Sequence, residues 1–263
     1  MHDVSTRLAF AIDLARRAGA HALAAFRQID TLNIEKKGHQ DLVSNADRET
    51  ETLIRREIEK TYPQDGIVGE EHAERHGTSG HTWVIDPIDG TANFVTGIPA
   101  WCVIIACVDE SGIELGVICE PSSGETFWAS RGNGAFVNDK PMKVSSSTNL
   151  QEGSVGTGYA ARENAETVTA LIGDLIGQGG MFFRNASGGL MLAYTAAGRL
   201  IGYIEEEMNS WDCLAGMLMI SEAGGEIEMP PVENLANSRM MVIAGGPSVY
   251  PALKALASRH FQD

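Results

Sequence analysis

The sequence predicts a layered α/β protein, and three observations carry that prediction. In the second half, short β-like runs alternate with helical stretches, and strands alternating with helices pack as layers. In the first half, WCVIIACV at 101–108, GIELGVIC at 112–119 and ETFWAS at 125–130 are separated by the turn clusters Asp109–Gly112 and Pro121–Gly124, the pattern of an antiparallel meander. WCVIIACV is apolar on both faces, so its strand expects cover on both sides.

Along the chain, residues 3 to 28 place Val4, Leu8, Ile12, Ala15, Ala22, Leu23 and Phe26 at helical spacing and predict a long amphipathic helix. Asn45 is the expected N-cap of a second helix running to about Lys60, with Leu53, Ile54 and Ile58 as its apolar stripe. After Tyr62-Pro63 come GIVGEE and TWVID, short apolar runs that each end in acid, and then the meander. Beyond it SVGTGY, MFF, LIGYIE, GEIEM and RMMVIAG read as strands, with helices near 163–177, 187–198, 212–223 and 248–260. Ser248 is the expected N-cap of the last helix, and Gly224-Gly225 stops the one before it. No internal repeat or low-complexity linker interrupts the chain. Residues 1–263 are therefore expected to form a single unit, with halves of about 1–150 and 151–263 meeting near residue 150.

Composition narrows the function classes. At 263 residues, with 43% hydrophobic and 21% charged residues, the chain is an ordinary globular sequence with enough length for a substantial core. The formal net charge of -15 argues against non-specific binding to nucleic acid or to an anionic membrane, since both need a basic face. No apolar run approaches the roughly 20 residues that span a bilayer. MHDVSTRLAF lacks the basic and apolar regions of a signal peptide. Cys102, Cys107, Cys119 and Cys213 form no CxxC pair, and Cys102 and Cys107 sit at odd separation in one strand-like run, facing opposite sides. Reduced, buried thiols in a cytoplasmic protein follow.

One stretch asks for a chemical explanation. In WVIDPIDGTANF at 83–94 the apolar run stops at Asp86, Pro87 breaks it, and a second acid, Asp89, precedes Gly90 and Thr91. Carboxylates unpaired where an apolar strand ends are costly. A lysine, a watery surface or a metal could neutralise them. Further acids fall at similar places: Glu70-Glu71 after GIV, Asp212 after Trp211, and Asp47 at the start of the second helix. Hard oxygen ligands on loops suit Mg²⁺, which takes few carboxylates and completes its shell with water and phosphate. Gly90 and Thr91 resemble the opening of a helix, where free N–H groups favour an anion. A cation cluster beside an anion-binding turn suits phosphoryl transfer to water. The alternative is that these acids are caps and solvated turn residues.

Other motifs are weaker. His72 and His76 are four apart as in a zinc helix, but Ala73 stands where that motif needs Glu, and the stretch reads as solvated surface. Gly132-Asn133-Gly134 and Gly156-Thr157-Gly158 complete no dinucleotide fingerprint, and no G-x-S-x-G nucleophile elbow exists.

GEE at 69–71, WVIDPIDGTANF at 83–94 and WDCLAGMLMISEAGG at 211–225, with DLVSNAD at 41–47 and GRLIGYIE at 198–205, resemble the inositol monophosphatase family over essentially the whole chain. The resemblance implies an α/β (α+β) fold, a layered α/β/α/β/α sandwich of the inositol monophosphatase and fructose bisphosphatase type. It implies a lithium-sensitive phosphatase of small phosphomonoesters, using two to three Mg²⁺ per active site, and a homodimer. By motif, Glu70, Asp86 and the Ile88 carbonyl are the expected ligands of one metal, Asp86, Asp89 and Asp212 of another, with Glu70 also serving a third. Thr91 and Asp47 are expected to orient and deprotonate the attacking water, and with Glu70 form the catalytic set. Gly90 and Thr91 are expected to hold phosphate, and Asp89, Asp212 and Glu205 to face the substrate, Glu205 as the sugar-hydroxyl ligand.

The chain departs from the family pattern around the substrate alcohol. Ala186-Ser187-Gly188 stands in place of a Gly-Ser-Ala-type turn, Ile201 in place of a frequent acid, and Glu206 and Glu207 leave the register of Glu205 open. Inositol monophosphate is the leading substrate. Histidinol phosphate, a sugar bisphosphate or a 3′-phosphonucleotide are alternatives, although Ala92 and Asn93 follow Thr91 where the nucleotide branch typically has a Lys-Glu pair. A non-catalytic binding protein of the same fold is a further alternative, disfavoured because Thr91 and Asp47 are both retained.

Overall fold

The structure, a computed structural model, describes residues 6–29, 34–38, 41–159, 164–233 and 235–261. Its helices are α1 (Thr6–Phe26), α2 (Asn45–Thr61), α3 (Thr91–Thr96), α4 (Ala165–Gly177), α5 (Gly188–Ala196), α6 (Ser210–Glu222) and α7 (Tyr250–His260). A hairpin of β1 (Ile34–Gly38) and β2 (Asp41–Ser44) leads into α2. A seven-stranded sheet follows in chain order: β3 (Gly66–Gly69), β4 (Thr82–Asp89), β5 (Cys102–Asp109), β6 (Gly112–Glu120), β7 (Glu125–Ser130), β8 (Ala135–Val137) and β9 (Lys140–Pro141). Only the β3–β4 pair in it is parallel, and the meander read from the sequence is its centre. The second sheet contains β10 (Ser154–Thr157), β11 (Met181–Phe183), β12 (Gly202–Asn209), β13 (Glu226–Ile227) and β14 (Arg239–Gly245), in the order β11-β10-β12-β14-β13.

Burial stacks these elements into five layers. Leu8 and Leu14 of α1 and Ile54 and Ile58 of α2 pack on Trp83, Ile85, Val103 and Ile105, one face of the large sheet. The opposite face, with Val84, Ile104, Ala106 and Ile118, meets α5 and α6, which also touch Tyr203, Val242 and Ala244 of the second sheet. Leu171 and Leu175 of α4 and Leu253 and Leu256 of α7 close the far side on Val155, Ile204 and Ile243. The order is α/β/α/β/α, as the resemblance implied. β5 is covered on both faces, as its unbroken apolar run required, and each fully buried Val or Ile there contributes about 1.5–3 kcal/mol. Cys102 and Cys107 fall on opposite faces of that strand, and all four cysteines are buried and free. A Cβ on Gly116 would sit 2.6 Å from the Ala215 Cα, so glycine is what lets α6 lie against β6.

Some boundaries differ from the sequence reading. The first helix ends at Phe26, two residues early, and Val4 lies outside the described residues. The N-cap of α2 is Ser44 rather than Asn45: its backbone is extended, its hydroxyl accepts from the Ala46 N–H at 3.2 Å, and Asp47 reaches back to the Ser44 N–H at 2.9 Å. That reciprocal pair is a capping box, with Asp47 in the place usual for Glu. Ser248 does not cap α7. Val249 holds the N-cap position, the Gly246 carbonyl accepts from the Val249 and Tyr250 N–H groups, and Pro251 lies in the first turn, where no N–H partner is required. No described helix is long and apolar enough to cross a membrane.

Candidate metal centre

The acids of DPIDG converge because the strand breaks its own alternation. Residues three apart in a regular strand face opposite sides. In β4, however, the pairing with β5 shifts register between Asp86, opposite Ile104, and Asp89, opposite Cys102. The irregularity falls at Pro87, which has no N–H for the ladder, and Asp86 Oδ1 accepts from the Ile88 N–H at 2.9 Å. Parity is reversed, and both carboxylates end on the α5–α6 side. Asp212 arrives from the first turn of α6, an acid at a helix N-terminus. One oxygen from each of Asp86, Asp89 and Asp212 lies within 4.8 Å of the others.

Among the described residues no Lys, Arg or His pairs with these three acids. Asp89 Oδ2 accepts from the Ser187 hydroxyl at 2.6 Å and the Gly189 N–H at 2.7 Å, with the Cys102 thiol at 3.6 Å. Asp212 Oδ2 accepts from Asn209 Nδ2 at 3.0 Å. Burial, followed by the charges of Glu70, Asp89 and Asp212, holds the Asp86 carboxyl well above its usual range. Burial raises Asp89 too, against the hydrogen bonds from Ser187 and Gly189, and burial with the Asp89 charge pushes Asp212 up to about 7. Three acids held together without a cationic side chain form a cluster that favours either protons or a hard divalent cation.

Glu70, at the end of β3, is half-buried and close enough for its charge to lift Asp86, yet it stands outside the 4.8 Å triplet. The Ile88 carbonyl accepts from the Thr91 hydroxyl at 3.0 Å, and the same hydroxyl lies 3.1 Å from Asp47 Oδ1. Asp47 is fully buried, and burial lifts its carboxyl against hydrogen bonds from Ser44 and Thr91. Gly90 caps α3 at φ 92°, and a Cβ there would come within 3.0 Å of the Ala100 carbonyl and 3.2 Å of Ser187 Cβ. Both the left-handed backbone and the close approach demand glycine.

A cavity of about 150 Å³ opens beside the acids, lined by Asp89, Asp212, Glu205, Arg184, Ala186 and Gly188 among others. Of Glu205, Glu206 and Glu207, it is Glu205 that lines it. The pairing of β12 with β14 shifts between Glu205 and Met208, and Glu207 turns to Arg239 at 3.0 Å, leaving Glu205 buried against the cavity. The buried Tyr203 hydroxyl donates to Glu205 Oε2. Ala186 holds φ 62°, the left-handed region that glycine enters without strain.

Sequence reasoning missed Asn209, Tyr203 and Arg184 as neighbours of the site; it set Ser187 near the substrate alcohol and missed its bond to Asp89. Asn209 stands three residues before Asp212 and was findable as a cap; the others reach the site only through folding. A second acidic group, His81, Asp109 and Glu114, is also tight, but Arg131 reaches Asp109 at 2.9 Å and Arg7 lies 3.6 Å from Glu114, so cations already neutralise it. His72 and His76 are exposed, as their polar stretch predicted.

Comparison with known proteins agrees with this architecture. The family model described as the inositol monophosphatase family matches residues 3–262. The chain is 38% identical over 212 residues to an inositol-1-monophosphatase of Rhizobium meliloti, covering 80% of each chain. It is 35% identical over 251 residues to the Nus factor SuhB of Escherichia coli K12, covering 94% of each. Among solved structures, the extragenic suppressor protein suhB of Bartonella henselae superposes with a TM-score of 0.90 at 32% identity, over 97% of this chain and 99% of that one. The Thermotoga maritima IMPase gives 0.85 at 30% identity, over 96% and 97%.

Proposed function

The chain belongs to the inositol monophosphatase family, and we propose that it hydrolyses a small phosphomonoester, inositol monophosphate or a related polyol phosphate, with Mg²⁺ as cofactor. The observation that carries the reading is the triplet of Asp86, Asp89 and Asp212 beside the Thr91–Asp47 hydrogen bond. The donor set fits: hard carboxylate oxygens, buried or half-buried, and short of cationic partners among the described residues. Glu70, Asp86 and the Ile88 carbonyl would hold one ion, and Asp86, Asp89 and Asp212 another, with Glu70 available to a third. Bound there, the ions would neutralise phosphate charge and lower the pKa of water beside it.

The chain's own groups supply the rest. Thr91 Oγ1 can accept a proton from a water while donating to Asp47, whose burial-raised carboxyl is better suited to receive it than an ordinary aspartate. Gly90 and Thr91 would present backbone N–H groups to phosphate. Glu205, across the cavity, would accept from a substrate hydroxyl. Phosphate release from a panel of inositol, histidinol, sugar and nucleotide phosphates, with and without magnesium, tests the reading and ranks its alternatives. No magnesium-dependent release from any of them would remove it. Lithium inhibition and a homodimer belong to the same reading. Met181 and Phe182, exposed on the edge strand β11, offer a surface for the dimer.

A second reading is favoured by the relatives named Nus factor SuhB, under which the protein acts by binding a partner, in addition to or instead of hydrolysis. The charge of -15 disfavours direct contact with nucleic acid, but those names give that expectation no support. Binding of labelled RNA at two salt concentrations tests whether such a partner is a nucleic acid, and the phosphate-release panel tests hydrolysis. The Thr91–Asp47 contact weighs toward hydrolysis, since a binding protein has no use for a proton relay.

A further inference from the structure

Helix α2 carries three charged residues along one face, Asp47, Glu51 and Arg55, at successive four-residue steps. The first belongs to the site. Glu51 is fully buried and Arg55 nearly so, and Arg55 Nε donates to Glu51 Oε1 at 2.6 Å. A buried ion pair is weak evidence for stability, because desolvation consumes much of its attraction. The remaining bonds of this pair show what it holds. Glu51 Oε2 accepts from the Glu71 N–H at 2.7 Å, and Gly69 lies so close to the Glu51 carboxylate that a Cβ there has no room. The Arg55 fork donates to the His72 carbonyl at 3.1 Å and the Ala73 carbonyl at 3.0 Å. All four contacts fall on residues 69–73, on both sides of Glu70.

We propose that the Glu51–Arg55 pair is a positioning device for Glu70: it clamps the segment after β3 to the helix that carries Asp47, and so sets the affinity of the centre for its metal. This rests on the reading of Glu70 as a metal ligand. The fork matters as much as the charge, since only a guanidinium reaches two adjacent carbonyls while paired with a carboxylate.

The test measures magnesium dissociation constants by calorimetry, and melting temperatures in chelator, for the whole protein and three variants. In Glu51→Gln/Arg55→Met both charges are gone, so no buried ion is left unpaired and the chelated protein should melt near wild type. Its magnesium affinity should fall by about 10–100-fold, the usual effect of removing a group that orients a ligand. Arg55→Lys keeps the charge beside Glu51 without the fork and should fall between the two. Glu70→Gln is the control. If it binds magnesium as wild type does, Glu70 is not a ligand and both readings go. If Glu70→Gln weakens binding while the double variant retains wild-type affinity, the clamp is overturned and the ligand assignment stands. Should the double variant fail to fold, wild-type affinity in Arg55→Lys overturns the clamp by itself.

Discussion

The Ser187 hydroxyl donates to Asp89 Oδ2 at 2.6 Å, so one carboxylate serves both the acidic cluster and the start of α5. The N-cap of α5 has no side-chain cap of its own, and the same Asp89 oxygen accepts the Gly189 N–H at 2.7 Å in its place. The centre is thereby tied to the helical layer between the two sheets. Asp212 sits in the first turn of α6 and accepts from Asn209, the residue at the N-cap of that helix.

Variants at the two acids should separate, because Asn at 212 keeps an oxygen for Asn209 while Ala at 89 leaves Ser187 and Gly189 without an acceptor. Asp212→Asn should lose most magnesium-dependent phosphate release while the chelated protein melts at or above the wild-type temperature, because one of three crowded carboxylates is gone. Asp89→Ala should lose activity and also about 0.5–2 kcal/mol of stability with the α5 cap. Near-normal turnover by Asp212→Asn at modest magnesium would contradict the metal assignment.

Stability of the metal-free protein should depend on pH with a definite sign. Asp86, Asp89 and Asp212 are all raised in the folded state, Asp212 to about 7, so the fold binds more protons than the unfolded chain between the ordinary aspartate value and that point. Their contribution is fully present below the unfolded pKa, about 3.9, and is lost as pH rises through the folded values. Melts in chelator should weaken from pH 5 to 8, and magnesium should flatten that trend. Apparent magnesium affinity should fall as pH drops below about 7, where protons compete for the same oxygens. A chelated melting temperature that climbs across the window would reverse the sign and reject the cluster as its origin.

Phosphate should stabilise the protein only in company. Carboxylates with no cationic partner repel an anion, so phosphate in chelator should leave the melting temperature unchanged. Magnesium should raise it by an amount that grows with concentration, about 2.7 kcal/mol at 100 times the dissociation constant. Phosphate added with magnesium should raise it further. Equal stabilisation by phosphate with and without magnesium would point to a basic or purely backbone anion site.

Thr91→Ala should cost about 10²–10⁴-fold in turnover and leave the magnesium-induced shift in melting nearly intact. Thr91 is not the N-cap of α3, a position held by Gly90, and its hydroxyl points to Asp47 and the Ile88 carbonyl. Wild-type turnover would reduce Thr91 to a structural residue.

Glu205→Ala should penalise polyol phosphates more than an aryl phosphate. Tyr203→Phe should do the same to a smaller degree, because the buried phenol hydroxyl holds the carboxylate at the cavity wall. A common loss on both substrate types would show that neither residue senses the alcohol.

Much of the architecture was legible because it rests on local rules. The meander followed from apolar runs and turn residues, and the two-sided burial of β5 from its unbroken hydrophobicity. The helices followed from their spacing, with end errors of a residue or two where Ser44 and Gly246 supply the first partners. DPIDGT drew attention because charge at the end of an apolar strand needs a reason. The assignment of its residues to ligands and catalytic groups came from resemblance to a family, and stands here as a proposal.

Other features were decided only in three dimensions. Sequence spacing puts Asp86 and Asp89 on opposite faces, and the register shift at Pro87 brings them together. Nothing local distinguishes Glu205 from Glu206 and Glu207 until the strand pairs regularly up to Glu205, on the side of Tyr203, and shifts register after it. Ser187 meets Asp89 across 98 positions of chain, and Thr91 meets Asp47 across 44. The sequence by itself determined most of the segments that become strands and helices, though not the β1–β2 hairpin or the short β8 and β9, and where the acids are placed at their ends, because backbone preference and apolar periodicity act over a few residues. Which acids share a site, and which neighbours hold them, was decided by tertiary packing, since a carboxylate's partners are set by the sheets and helices that meet around it.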